Sequence, residues 1–60
     1  MNEVVKVEFY SANDVSIILG VSRATAYRII DEFNRQLEKM GKYTLRGKIS
    51  KKFFDEKMYI

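Results

Sequence analysis

Two short basic stretches carry the chemistry of this chain. In "SRATAYR", Arg23 and Arg28 flank Tyr27; in "LRGK", Arg46 and Lys48 bracket Gly47, with Lys51 and Lys52 close behind. A guanidinium is a planar fork of donors that matches two acceptors at once, on a phosphate or on the edge of a guanine. Small or methyl-bearing side chains such as Ala24 and Thr25 can meet a thymine methyl. Ser22, just before them, can cap a helix whose first N–H groups favour phosphate. This is the chemistry of gripping a polyanion. The chemistry of breaking bonds is missing. There is no His and no Cys, which removes the usual proton shuttle and any thiolate metal site. The acidic pairs Asp31–Glu32 and Asp55–Glu56 are neighbours that diverge along a helix, unlike the convergent groups of an acid–base catalyst. No glycine loop suited to phosphates and no metal-ligand spacing occurs. The expectation is a binding protein, not an enzyme, with neither cofactor nor metal.

The elements that must position these residues belong to one small domain spanning residues 1–60. A chain of 60 residues buries only about 60% of its unfolded surface, so its stability is marginal. Its hydrophobic content of 47% is nevertheless ample for a core. Eleven Lys and Arg against eight Asp and Glu leave a net charge of +3, and the pI near 9.3 suits a polyanionic partner. No run approaches the roughly 18 apolar residues of a membrane span. The start, "MNEVVKVEFY", lacks the basic-then-apolar order of a signal peptide. The expected location is the cytoplasm of a cell without a nucleus.

Local patterns predict the order strand, helix, turn, long helix, hairpin, helix. Val5, Val7 and Phe9 alternate with Lys6 and Glu8 as in a strand with one apolar face. Ser11 and Asp14 form a capping-box signature for a helix over about Ala12 to Leu19. Val15, Ile18 and Leu19 make its main apolar face and Ile17 points nearly the opposite way, which predicts a helix covered from both sides. Gly20 suits the left-handed stop of that helix. After the Ser22 cap, Ala26, Ile29, Ile30, Phe33, Leu37 and Met40 form a stripe with spacings of three and four, ended by Gly41. In "KYTLRGKIS", Leu45 and Ile49 flank a polar centre with a glycine in the tip, as in a short hairpin. Ser50 offers a cap for a last helix in which Phe53, Phe54 and Met58 pack inward.

Two helices joined by a short glycine-containing turn predict a helix-turn-helix. Val21 would plug the turn, Ser16 and Ala26 would sit at the close approach, and Val15, Leu19 and Ile29 would fill the wedge. The inner side of the second helix is then full, which leaves Ala24, Arg28, Asp31 and Arg35 on its outside. Arg23 and Thr25 stand in its first turn and Tyr27 on a flank. A recognition helix reads base edges with its N-terminal residues.

"SANDVSIILGVSRATAYRII" resembles the helix-turn-helix of small bacterial and phage DNA-binding proteins. "TLRGKISKKFF" resembles the wing and following helix of the excisionase-like, MerR-related winged-helix domains. One departure is the length of the second helix, which "DEFNRQLEKMG" extends by more than two turns. The resemblance implies a winged helix-turn-helix, mostly α with a small β element. It also implies a factor that binds duplex DNA, as an excisionase (recombination directionality factor) or a small transcription regulator of a phage or mobile element. It puts Ser22, Arg23, Ala24, Tyr27 and Arg28 on the major-groove positions and Arg46, Gly47 and Lys48 on the wing. Lys51 joins that set because the cations cluster about the hairpin tip. Partners would be double-stranded DNA, a second copy in a cooperative or dimeric assembly, and an integrase or repressor.

Blander readings stand beside these. Exposed arginines on a helix are usually solvated, lysines at a sheet edge discourage strand pairing, and Phe53–Phe54 suits a core better than a base-stacking platform. The alternative from another class is a protein-interaction module that binds a repressor or an integrase through Ile17 and the terminal "KMYI". No aromatic is interleaved with basic residues on a strand, as RNA-binding sheets require.

Overall fold

The computed structural model describes residues 7–58. Their order is β1 (Phe9–Ser11), α1 (Ala12–Leu19), α2 (Arg23–Lys39), β2 (Lys48–Ser50) and α3 (Lys51–Met58). Three helices and one two-stranded antiparallel sheet result, an arrangement compatible with a winged helix-turn-helix.

The caps follow the local chemistry. The Ser11 side chain accepts from the Asp14 N–H at 3.2 Å, and the Asp14 carboxylate accepts from the Ser11 N–H at 3.0 Å. Both donors of the first turn of α1 are thereby satisfied reciprocally. Gly20 ends α1 with φ 67°, and the Val21 N–H returns to the Ser16 carbonyl at 3.1 Å. A side chain at Gly20 would meet the left-handed penalty that glycine avoids. α2 ends by the same device. The Lys42 N–H bonds Leu37 O and the Gly41 N–H bonds Glu38 O, each at 3.0 Å, the two reach-back bonds of a Schellman motif. The last helix is capped by Ser50, whose hydroxyl accepts from the Phe53 N–H at 3.4 Å.

The Asp14 carboxyl is held below its ordinary value of 3.8, first by the Ser11 backbone bond and then by the Ser11 hydroxyl. A carboxylate bound more tightly in the folded state stabilises it above the ordinary pKa and ceases to do so as pH falls through the folded value. Asp14→Asn should therefore flatten the loss of thermal stability as pH falls below the ordinary carboxyl value of 3.8. Melts followed by circular dichroism test this. Identical acid slopes for the two proteins would show that Asp14 does not report on the cap.

The core is Ala12, Val15, Ala26, Ile30, Ile49 and Phe54, all buried, with Tyr10, Leu19, Val21, Phe33, Leu37, Phe53 and Met58 packed around it. Phe54 sits at its centre, with the Tyr10 ring edge-on at 5.3 Å and Phe33 at 6.0 Å. Of the predicted α2 stripe, Ala26, Ile30, Phe33 and Leu37 belong to the core or pack on it, Ile29 is half-buried, and Met40 is 62% exposed. It is the capping residue beyond the last helical turn, where the chain leaves the core.

Three expectations are corrected. First, the strand is shorter than the alternation suggests and turns its other face inward. Val5 and Lys6 lie outside the described residues. Val7 is exposed, Phe9 lies at the margin of exposure, and Tyr10 is the strand residue that packs on the core. The physical cause is Tyr10's combination of an apolar ring against Phe54 and a hydroxyl that reaches Asp55 Oδ1 at 3.3 Å. Second, among the described residues α1 is covered from one side only. Ile17 is 71% exposed and Ile18 42%, because α2 and β1 both pack on the Ala12–Val15 side. Third, the expected hairpin across Leu45 and Ile49 is not the sheet. β2 pairs with β1, in register Phe9↔Ser50, Tyr10↔Ile49 and Ser11↔Lys48. Leu45 contributes only an isolated bridge to Lys48 and is half-exposed. In place of the expected hairpin wing stands a tight turn, Leu45–Lys48, leading into a strand whose partner is β1. Among the described residues no helix is long and apolar enough to cross a membrane.

Candidate nucleic-acid interface

The start of α2 is built by Ser22. Its backbone is extended, with φ −68° and ψ 160°, its Oγ accepts from the Thr25 N–H at 3.2 Å, and its hydroxyl donates to Thr25 Oγ1 at 3.0 Å. Ser22 and Thr25 therefore hold the helix start in place and spend their hydroxyls on each other. Arg23, Ala24, Tyr27 and Arg28 follow, all exposed, while Ala26 between them is fully buried. One helical period puts one small residue inside and four neighbours outside.

The turn closes with the Lys48 N–H on Leu45 O at 3.2 Å. Arg46 and Gly47 are its central residues, and Gly47 has φ 75°. Glycine is required there twice over. The left-handed backbone penalises a side chain, and a Cβ would stand 3.2 Å from Cε1 of the Tyr27 ring. That ring is the hinge of the site. One open cleft on its side is lined by Ala24, Arg28, Asp31 and Arg46, and a second by Asn13, Arg23, Arg46 and Lys48. The fold thus gathers Arg23, Ala24, Tyr27, Arg28, Arg46, Gly47 and Lys48 around one aromatic ring, though they come from two segments far apart in sequence.

Among the described residues the ion pairs are Asp31–Arg35, at 3.0 Å, and Glu8–Lys51, at 3.1 Å. None of the four cations around Tyr27 is ion-paired with a described carboxylate, although Asp31 also lines the first cleft. The Asp31–Arg35 pair is one helical turn apart and largely exposed, so it contributes only a few tenths of a kcal/mol. It was open to prediction from the spacing of four.

Lys51 stands apart from that group. Its ammonium pairs with Glu8 and lies 5.3 Å from the centre of the Tyr10 ring. The Glu8 contact raises its pKa, first through the hydrogen bond and then through the charge. Its neighbours are Phe9, Asp14, Ile17 and Ile18, not Tyr27.

Asn34 has no place among the sequence-predicted residues. It is 7% exposed, and its Nδ2 donates to Leu45 O at 3.1 Å and to Lys48 O at 3.0 Å. The available signal was a polar residue inside the α2 stripe, four after Ile30 and three before Leu37.

Two short helices, one long helix and a basic turn beside a two-stranded sheet make a small, mostly helical protein compatible with the winged helix-turn-helix type. Over 51 residues the chain is 41% identical to the ICEBs1 excisionase of Bacillus subtilis (strain 168), a match that covers 85% of this chain and 80% of that one. The chain belongs to the excisionase family. No family model matches it, and no solved structure matches it.

Proposed function

We propose that this chain is a recombination directionality factor of a mobile element that binds duplex DNA with the first half of α2 in the major groove and the Leu45–Lys48 turn on the flanking backbone. The observation that carries the reading is the gathering of Arg23, Arg28, Arg46 and Lys48 around Tyr27 on one face. Membership of the excisionase family supports the biological role, that of an accessory factor and not an enzyme. Such a factor shapes an attachment site so that an integrase runs in the excisive direction, and the integrase is its natural protein partner. Regulation of a promoter by the same DNA-binding face is the companion role. One domain of this size reads few base pairs, so cooperative copies on adjacent sites supply the rest of the specificity. Ser22 and Thr25 support the interface by fixing the helix start. Lys51 serves it least, being engaged with Glu8 on another side.

One observation favours a second reading, a protein-docking module. Ile17 and Ile18 are exposed beside Phe9, remote from the basic clefts. Fluorescence anisotropy on a generic duplex over a series of salt concentrations separates the two. With about four to six phosphates neutralised, log affinity should fall against log salt with a slope of roughly −3.5 to −5.5. Absence of binding at low salt would remove the DNA-reading assignment and leave the docking module.

A further inference from the structure

Asn34 is the buried polar residue among those described. A buried amide is costly unless its polar atoms find partners; here both Nδ2 hydrogens do, while Oδ1 has none among the described residues. The two carbonyls that receive the hydrogens, of Leu45 and Lys48, are the first and last of the turn that carries Arg46. Seven residues earlier on α2, two helical turns along the same face, Tyr27 lays its ring against Gly47 in the middle of that turn. One face of one helix therefore grips the turn at both ends and at its centre. The turn's other attachment, the short β2 pairing with β1, begins only at Lys48 and leaves Arg46 outside the sheet.

We propose that Asn34 is a positioning residue: it locks the Leu45–Lys48 turn, and with it the Arg46 guanidinium, to the α2 face that carries Arg28, so that both arginines engage one duplex as a unit. The inference rests on the DNA-binding reading above and adds a residue that touches no DNA. Without the amide the turn stays attached through β2, but the direction of Arg46 is no longer fixed and its contact with a phosphate is lost to motion.

The test is a double-mutant cycle on a generic duplex, read by anisotropy over a salt series, with circular dichroism confirming that each protein is folded at the temperature used. In the parent, Arg46→Ala should weaken binding by about tenfold and make the salt slope shallower by about one. Asn34→Ala should produce nearly the same loss and the same change of slope, and the double variant should be no worse than Asn34→Ala within about twofold. If Arg46→Ala costs as much in the Asn34→Ala background as in the parent, Asn34 serves stability alone and the proposal is overturned. If Arg46→Ala costs nothing in the parent, the turn does not touch DNA, and that arm alone removes the wing reading and this proposal together. Should Asn34→Ala fail to hold its fold, Asn34→Ser replaces it in the same cycle, since a serine hydroxyl is too short and has too few hydrogens to span both carbonyls.

Discussion

Arg28→Ala should bind duplex DNA about ten- to a hundredfold more weakly than the parent at equal salt, with its unfolding midpoint unchanged or slightly raised. A well-made bidentate contact is worth about 1–3 kcal/mol, and each 1.4 kcal/mol is a factor of about ten. Arg28 is exposed in the second turn of α2, where it lines the same cleft as Arg46 and Asp31. Nothing in the core touches it, and alanine is the better helix former, so no stability should be lost. The pattern of loss also tells which acceptor it meets. A base contact would concentrate the loss on the preferred sequence. A phosphate contact would spread it evenly and make the salt slope shallower by about one. Anisotropy on matched duplexes, with a thermal melt as control, decides it. Undiminished affinity on every duplex would take Arg28, and the reading of α2 as the DNA-facing helix, out of the account.

The largest effect on stability is expected from Phe54→Ala. Phe54 is fully buried, and Tyr10 and Phe33 pack edge-on against it. Truncating a core phenylalanine costs about 3–5 kcal/mol, part lost transfer energy and part residual cavity. A domain this small has a total stability of about 3–9 kcal/mol. The substitution should therefore remove at least about a third of it and lower the midpoint by about 12–40 °C, at about 4–8 °C per kcal/mol. A circular dichroism melt reads this directly. A fall of less than about 5 °C would mean that the three helices are not held together at Phe54 and that the core lies elsewhere.

What sequence alone disclosed, and what it did not, divides along the range of the interactions. Ser11 with Asp14, Gly20, Ser22 with Thr25 and Gly41 act on backbone groups within five residues of themselves, so their local pattern is nearly sufficient. The α1 and α2 boundaries were legible for that reason. The inward face of β1 was not, because it depends on a ring at Phe54 and a carboxylate at Asp55 that are distant in sequence. Nor was the true partner of β2, since a glycine between two apolar residues looks like a local hairpin whichever strand lies alongside. Ile18 fits a helical stripe perfectly well, but burial needs a neighbour, and among the described residues none covers that side of α1.

The candidate site shows the same division. Arg23, Tyr27 and Arg28 were legible as the outside of an amphipathic helix, and Arg46 and Lys48 as a basic turn. Their meeting around Tyr27 was not, because the Gly47 contact joins segments with most of α2 between them. Asn34 was the least legible. Its use appears only once two backbone carbonyls, eleven and fourteen residues later, stand within reach.

The pairing of β1 with β2 has a consequence for how the protein is made. Phe9 lies opposite Ser50, and the Lys51 N–H bonds Glu8 O at 2.9 Å, so the contacts that close the core join segments at the two ends of the described chain. Closing so long a loop has an entropic cost that nearby contacts do not meet, and it slows the step that depends on it. As the chain leaves the ribosome, α1 and α2 can pair early, but Tyr10 has no ring to pack on until Phe54 has emerged. The basic turn can meet Tyr27 and Asn34 before then, but the strand behind it has no completed core to rest on. The nascent protein should therefore acquire α1 and α2 first, and the sheet and α3 should close the core in one late step.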